Sequence, residues 1–162
     1  MPISDIDMTP AIKVAKNRHI QYQVHEYRHY SASESYGLEA AEKMDVAPVR
    51  VLKTLVVCLD DRQLAVAVVP VSCMLSMKRF AKAAGAKKAV MAAKPDAQRS
   101  TGHLLGGISP LGQKRALKTL IDTSAADYAS VFVSAGRRGL ESELALDDLI
   151  SLTDGLFAPI CQ

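Results

Sequence analysis

VRVLKTLVVC (Val49 to Cys58) and QLAVAVV (Gln63 to Val69) flank a turn that contains Asp60-Asp61. Both runs are dominated by Val, Leu and Ala, with no internal Gly or Pro to interrupt a ladder. They predict a β-hairpin with a slightly long turn, and the first run is the strongest strand signal in the chain. Downstream, Ser76 caps a basic helix, MKRFAKAAG, with Gly85 in the stop position. Short strands are predicted around Lys87–Met91, Leu117–Ile121 and Tyr128–Val133, and a late helix over Asp147–Leu152. Upstream, Thr9-Pro10 reads as an N-cap and a proline at the first helical position. His19 to Tyr30 (HIQYQVHEYRHY) alternates, with Ile20, Tyr22 and Val24 on one face and His25, Tyr27 and His29 on the other. A second helix is predicted over Glu39–Met44, ahead of Pro48. Irregular alternation of helices with hairpin-linked strands predicts an α+β fold on a mixed, barrel-like sheet rather than a doubly wound parallel one.

Length and composition bound the rest. At 162 residues, 49% hydrophobic and 23% charged, the chain suits one domain, and no repeat or linker-like run divides it. The apolar content and a net charge of only +3 exclude disorder as a whole-chain state. The longest uncharged stretch, Gln63 to Met77, is fifteen residues and contains Pro70. A bilayer span needs about 20 apolar residues, so no membrane crossing is expected. The first residues lack the apolar core of a secretory signal, and MPISDID, residues 1–7, reads as a loose leader. The expected location is the cytoplasm. Cys58, Cys73 and Cys161 show neither the even count of a disulfide framework nor zinc-ligand spacing, so reduced thiols are expected.

Charge is concentrated. Met77 to Thr119 holds ten Lys/Arg and one acid, Asp96. Such a patch attracts nucleic-acid phosphates through counterion release. It reads equally as a solvated basic face. His25 and His29 would converge on a metal only if helical; on a strand they stand about 13 Å apart, and no metal site is predicted. The run Gly106-Gly107-Ile108-Ser109-Pro110-Leu111-Gly112 is neither a P-loop nor a nucleophile elbow. A P-loop needs Gly-Lys-Ser/Thr where Gly112-Gln113-Lys114 stands, and Pro110 lacks the N–H that an elbow uses. What remains is a tight loop whose Gly106 and Gly107 leave backbone N–H groups open to a ligand. Lys53 places an amine within the apolar stripe of Val49, Val51, Leu55 and Val57. It reads either as a snorkelling edge-strand lysine or as a cation held for a phosphate or a polarised carbonyl.

Val51-Leu52-Lys53-Thr54-Leu55, Leu64-Ala65-Val66-Ala67-Val68, Gln98-Arg99-Ser100-Thr101-Gly102 and Gly106 through Lys114 occur in the order and at the spacing of a known family. They resemble the YbaK family, free-standing relatives of the editing domain inserted in bacterial prolyl-tRNA synthetases. The resemblance runs from Met8 to the end, which sets one editing domain over residues 8–162. It implies an aminoacyl-tRNA deacylase that removes cysteine from proline tRNA, on a single α+β domain whose mixed barrel-like sheet is surrounded by helices. It implies no cofactor, no DNA and no membrane. The partners it implies are Cys-tRNA(Pro), other Cys-tRNAs, and a complex with prolyl-tRNA synthetase.

The resemblance also carries roles onto residues. The family's functional lysine matches Lys53, with Thr54 beside it, and the second strand's tyrosine matches Tyr27. An aromatic before glycine matches Tyr36, where relatives carry Phe. The Gly-Gly loop matches Gly106 and Gly107, the Val-Ser-x-Gly segment matches Ser134, and the acid of Gly-Leu-Asp matches Glu141. Two positions depart: Glu141 is one methylene longer than the family's Asp, and Ala135 stands where glycine is common. The implied mechanism is substrate-assisted. Lys53 anchors the terminal phosphate or the ester end, Gly106 and Gly107 N–H groups stabilise the oxyanion, and Tyr27, Tyr36, Thr54, Ser134 and Glu141 bind amino acid and adenosine. The basic stretch then holds acceptor-stem phosphates. Two alternatives stay open: an Ala- or Ser-specific deacylase using activated water, and a non-catalytic tRNA- or synthetase-binding module.

Overall fold

The computed structural model describes residues 9–28 and 36–162. Helix α1 (Pro10–Asn17) starts where Thr9 and Pro10 place it, the Thr9 hydroxyl accepting from the Ile12 N–H at 3.3 Å. Strand β1 (Tyr22–Glu26) and helix α2 (Tyr36–Met44) follow. Pro48 then opens a 3-10 turn, Pro48–Arg50, so β2 (Leu52–Leu59) begins three residues later than Val49, where the sequence predicts it. The hairpin with β3 (Gln63–Pro70) is present, paired from Leu52↔Pro70 to Leu59↔Gln63. Asp60 and Asp61 turn it with φ of 52° and 62°, a left-handed conformation that Asp tolerates. The Asp60 carboxylate also accepts from the Lys87 and Lys88 N–H groups at 3.0 and 2.9 Å, tying this turn to the next strand.

Helix α3 (Met77–Ala84) is capped by the Ser76 hydroxyl, which accepts from the Arg79 N–H, and ends at Gly85. Beyond it come β4 (Ala89–Met91), α4 (Lys94–Thr101), β5 (Lys118–Asp122), β6 (Ser130–Arg137), β7 (Leu140–Ala145), α5 (Leu146–Thr153) and β8 (Leu156–Ala158). The sequence reading did not anticipate α4, β7 or β8. Helix α4 has no side-chain cap and little apolar face. In β7 Ser142 interrupts the apolar face between Leu140 and Leu144, and β8 is only three residues long.

The α+β class holds, with the barrel left unclosed. One mixed sheet runs β4-β2-β3-β5-β8, antiparallel on its first side and parallel through β3, β5 and β8. A second sheet, β1-β7-β6, is antiparallel throughout. They touch at one corner, the parallel bridge Val51–Phe132. In the larger sheet β4 pairs only with Val57–Leu59, leaving the first half of β2 without a partner on that side. Between the sheets lies a core of Leu52, Val66, Val68, Ile121, Val131, Val133, Leu144 and Leu149. A second core packs Phe80 of α3 onto the other face of β3 and β5.

Cys73 and Cys161 form a disulfide, Cα–Cα 6.2 Å apart, against the reduced thiols expected. Their separation of 88 residues hid the pairing; an antiparallel bridge, Leu75–Cys161, brings the C-terminal segment back to the end of β3. Asp122 holds this segment by accepting from the Ile160 and Cys161 N–H groups at 3.0 and 3.1 Å. Cys58 is a free thiol. Among the described residues no helix is long and apolar enough to cross a membrane. Residues 1–7, read as a leader, lie outside the described residues.

Candidate active site

The first half of β2, unpaired on its β4 side, borders a cavity of about 540 Å³ that reaches across to the three-stranded sheet. Tyr27, Lys53, Thr54, Gly106, Ser134 and Glu141 line it together. Register explains the convergence. His25 and Ser134 are both paired with Glu141, so these side chains share one face of β1, β7 and β6. Tyr27, two residues past His25, lies on the same side. The Val51–Phe132 bridge then sets the start of β2, with Lys53 and Thr54, beside them. Ala135 points the other way, packed with Ile12 and Leu140, so that departure from the family pattern faces the core.

Electrostatics distinguish the cavity from an ordinary surface cleft. Glu141 is 7% exposed, its Oε2 makes no hydrogen bond among the described residues, and burial pushes its pKa up to about 8. Burial lowers the Lys53 pKa as well. Tyr27 is raised to about 12, first by burial and then by the Glu141 charge, so its phenol stays protonated. The Thr54 hydroxyl is likewise without a hydrogen-bond partner among the described residues. An acid and an amine, each driven toward its neutral form, with an orphaned hydroxyl between strands, describe a site built for an outside polar group.

The glycine loop is held by the residues whose pattern was read from the sequence. The Gln98 side-chain oxygen accepts from the Leu105 N–H at 3.2 Å, and the Thr101 hydroxyl accepts from the His103 N–H at 3.1 Å. The Ser109 hydroxyl accepts from the Leu111 N–H at 3.1 Å, while the Gln113 amide donates to the Ser109 carbonyl at 3.0 Å. Burial lowers the His103 pKa, and its Nε2 lies 3.2 Å from the Leu111 carbonyl, so the neutral ring donates there. Ser109 is fully buried, a scaffold residue rather than a nucleophile.

The two glycines separate in role. Gly106 lines the Lys53 cavity; Gly107 lines a neighbouring one and donates its N–H to the Leu104 carbonyl at 3.1 Å. That bond occupies the Gly107 donor expected at the oxyanion. A Cβ on Gly107 would sit 2.6 to 2.7 Å from the Arg137 and Arg138 backbone, so only glycine fits. Tyr36 opens α2, and its side chain lies outside the described residues, as does His29. His25 bonds Glu143 at 2.9 Å beside Phe132. Among the described residues no group of three metal-ligating side chains occurs. Sequence reasoning missed Met91, Leu105 and Lys94 on the cavity wall. Pro95, at the start of α4, was the available signal.

The aminoacyl-tRNA editing domain family matches residues 34–152, a span that contains Lys53, the glycine loop and Glu141. The chain belongs to this family. A protein of Enterococcus faecalis, named "Putative Cys-tRNA(Pro)/Cys-tRNA(Cys) deacylase EbsC", is 35% identical to this editing domain over 94% of the chain and 92% of its own length. Among solved structures, a "putative trans-editing enzyme for prolyl tRNA synthetase" superimposes with a TM-score of 0.83 at 20% identity, covering 99% of each chain. A scaffold protein used for epitope backbone grafting gives 0.84 at 18% identity, again over 99% of each. At these identities the two structures show that the editing domain's fold is shared, and nothing about its chemistry.

Proposed function

We propose that this editing domain is a trans-editing deacylase that hydrolyses the ester of Cys-tRNA(Pro), and of other Cys-tRNAs, by substrate-assisted attack of the cysteinyl thiol. The reaction class, aminoacyl-tRNA hydrolysis, follows from the family and from the deacylase relative. The observation that carries the finer reading is the convergence of Lys53, Glu141, Tyr27, Ser134 and Gly106 on one cavity where, among the described residues, no Ser, Cys or Thr is hydrogen-bonded to a side-chain base. The aminoacyl ester is already activated, and the substrate brings its own thiol. Sulfur attacks the carbonyl carbon, the carbon–oxygen ester bond breaks, the ribose oxygen takes a proton, and water opens the cyclic thioester to free cysteine. Intramolecular attack in a fixed orientation reaches effective molarities of about 10⁵ M or more. In this reading Lys53 anchors the terminal phosphate or the ester end, and the Gly106 N–H faces the developing oxyanion. Tyr27, Thr54, Ser134 and Glu141 hold the amino acid and adenosine.

The test is a substrate series on proline tRNA, with cysteine, S-methylcysteine, serine and alanine as the acyl group. The reading expects cleavage of the cysteinyl ester alone. Cleavage of alanyl or seryl esters would assign the sister chemistry with activated water, and cleavage of none would leave a binding module. Association with prolyl-tRNA synthetase is part of the same proposal, since so small a domain reads little of the tRNA itself.

A further inference from the structure

We propose that the tRNA's single-stranded 3′ end, the nucleotides preceding the acylated adenosine, runs through the second cavity behind the glycine loop and is held there by Arg28, Arg137 and Arg138. This inference rests on the deacylase reading and names where the RNA strand lies. The cavity measures about 780 Å³ and adjoins the Lys53 cavity, with Tyr27 and Leu105 lining both. Three arginines line it against one acid, Glu26. Arg28 and Arg137 are exposed, whereas Arg138 is fixed by Glu39, Nη2 to Oε1 at 3.1 Å. Guanidinium groups suit phosphodiester oxygens because their planar forks donate in pairs. At the rim, Leu104 is 75% exposed, an apolar face for a base to rest on.

The arrangement is coupled to the reaction cavity. Gly107 packs its backbone directly on the Arg137–Arg138 backbone, and a register shift in β6 between Ser134 and Arg137 sets that segment. The loop that offers Gly106 on one side is therefore the wall carrying these arginines on the other. The basic stretch Met77–Thr119 is less suited to the strand. There Arg99 pairs with Asp96, the Lys88 amine lies 3.7 Å from Asp61, the Lys118 amine donates to the Ala84 carbonyl, and of its cations only Lys94 lines the reaction cavity. An acidic protein surface would also meet arginines, but a recess adjoining the ester site suits a chain that extends from the ester.

Fluorescence anisotropy of an unacylated RNA tetranucleotide ending in CCA tests this without any catalytic step, so its outcome is separable from that of the deacylase reading. Arg28→Glu and Arg137→Glu should each weaken binding at least tenfold and flatten its salt dependence by about one phosphate contact. Arg62→Glu, on the distant hairpin turn, should change it less than twofold. In a companion assay, Arg137→Glu should raise KM for Cys-tRNA(Pro) by a larger factor than KM for cysteinyl-adenosine. No wild-type binding at millimolar RNA, equal binding by the arginine variants, or a larger loss in Lys82→Glu would each overturn the proposal. So would unchanged RNA binding accompanied by lost association with prolyl-tRNA synthetase.

Discussion

Lys53 and Glu141 line one cavity, yet neither relieves the other: burial is the sole cause that lowers the lysine's pKa and lifts the glutamate's to about 8. A salt bridge across the cavity would have pushed both pKa values in the opposite directions. Each group is therefore shifted by burial alone, and the two face one cavity without neutralising each other.

Glu141 makes stability depend on pH. With a folded pKa of about 8, the native state keeps a proton that the unfolded chain releases near the ordinary glutamate value. Native stability therefore falls as pH rises from about 4.5 to about 8 and levels off above. Glu141→Gln removes that slope. Urea unfolding should show the variant more stable than wild type at pH 9, by roughly 1–3 kcal/mol, and equal to it at pH 5. A wild-type curve that rises between pH 5 and pH 8 would contradict this.

Ser109 sits in the segment that most resembles a nucleophile motif, and its environment assigns it to the scaffold. It is fully buried and accepts from the Leu111 N–H. Ser109→Ala should lower stability by about 1 kcal/mol, the cost of one lost hydrogen bond with its donor left buried. Single-turnover deacylation should stay within a few-fold of wild type. A loss of a thousandfold or more would restore Ser109 as a nucleophile.

Gly107 is required by contact. An added methyl would press on the Arg137–Arg138 backbone at 2.6 to 2.7 Å, and neither segment can yield as a flexible side chain would. Gly107→Ala should cost about 1–3 kcal/mol of stability, the range of overpacking, and should weaken deacylation by displacing Gly106. Thermal unfolding and kcat measured together check it; an unchanged Tm would mean the loop and the β6–β7 segment are not in contact.

Much of this was legible in residue patterns, for identifiable reasons. Thr9-Pro10, Ser76 with Gly85, and the Asp60-Asp61 hairpin are local signals, and local signals survive folding. Lys53 stood out because a charge in an apolar strand needs an explanation, and the structure supplies a cavity. Strand β7 was hidden because Ser142 interrupts the apolar face between Leu140 and Leu144, and because Glu141 reads as an exposed acid although the fold buries it, the kind of local inconsistency that sites require. The Cys73–Cys161 pairing and the Arg28, Arg137 and Arg138 cluster join residues far apart in the chain, which only topology brings together. The mixed sheet is present without closing into a barrel, and the cavity lies beside the part of β2 that β4 does not cover.

The most direct test of the account is single-turnover deacylation of Cys-tRNA(Pro) by wild type, Lys53→Ala and Lys53→Arg. The account predicts rapid loss of cysteine with wild type, a fall of about 10²–10³-fold for Lys53→Ala, as when one stabilising group is removed from a reacting oxyanion or its anchor, and partial recovery in Lys53→Arg. Wild-type rates in Lys53→Ala would contradict it, and the cavity's lysine would then be a strand residue whose stem merely reaches water.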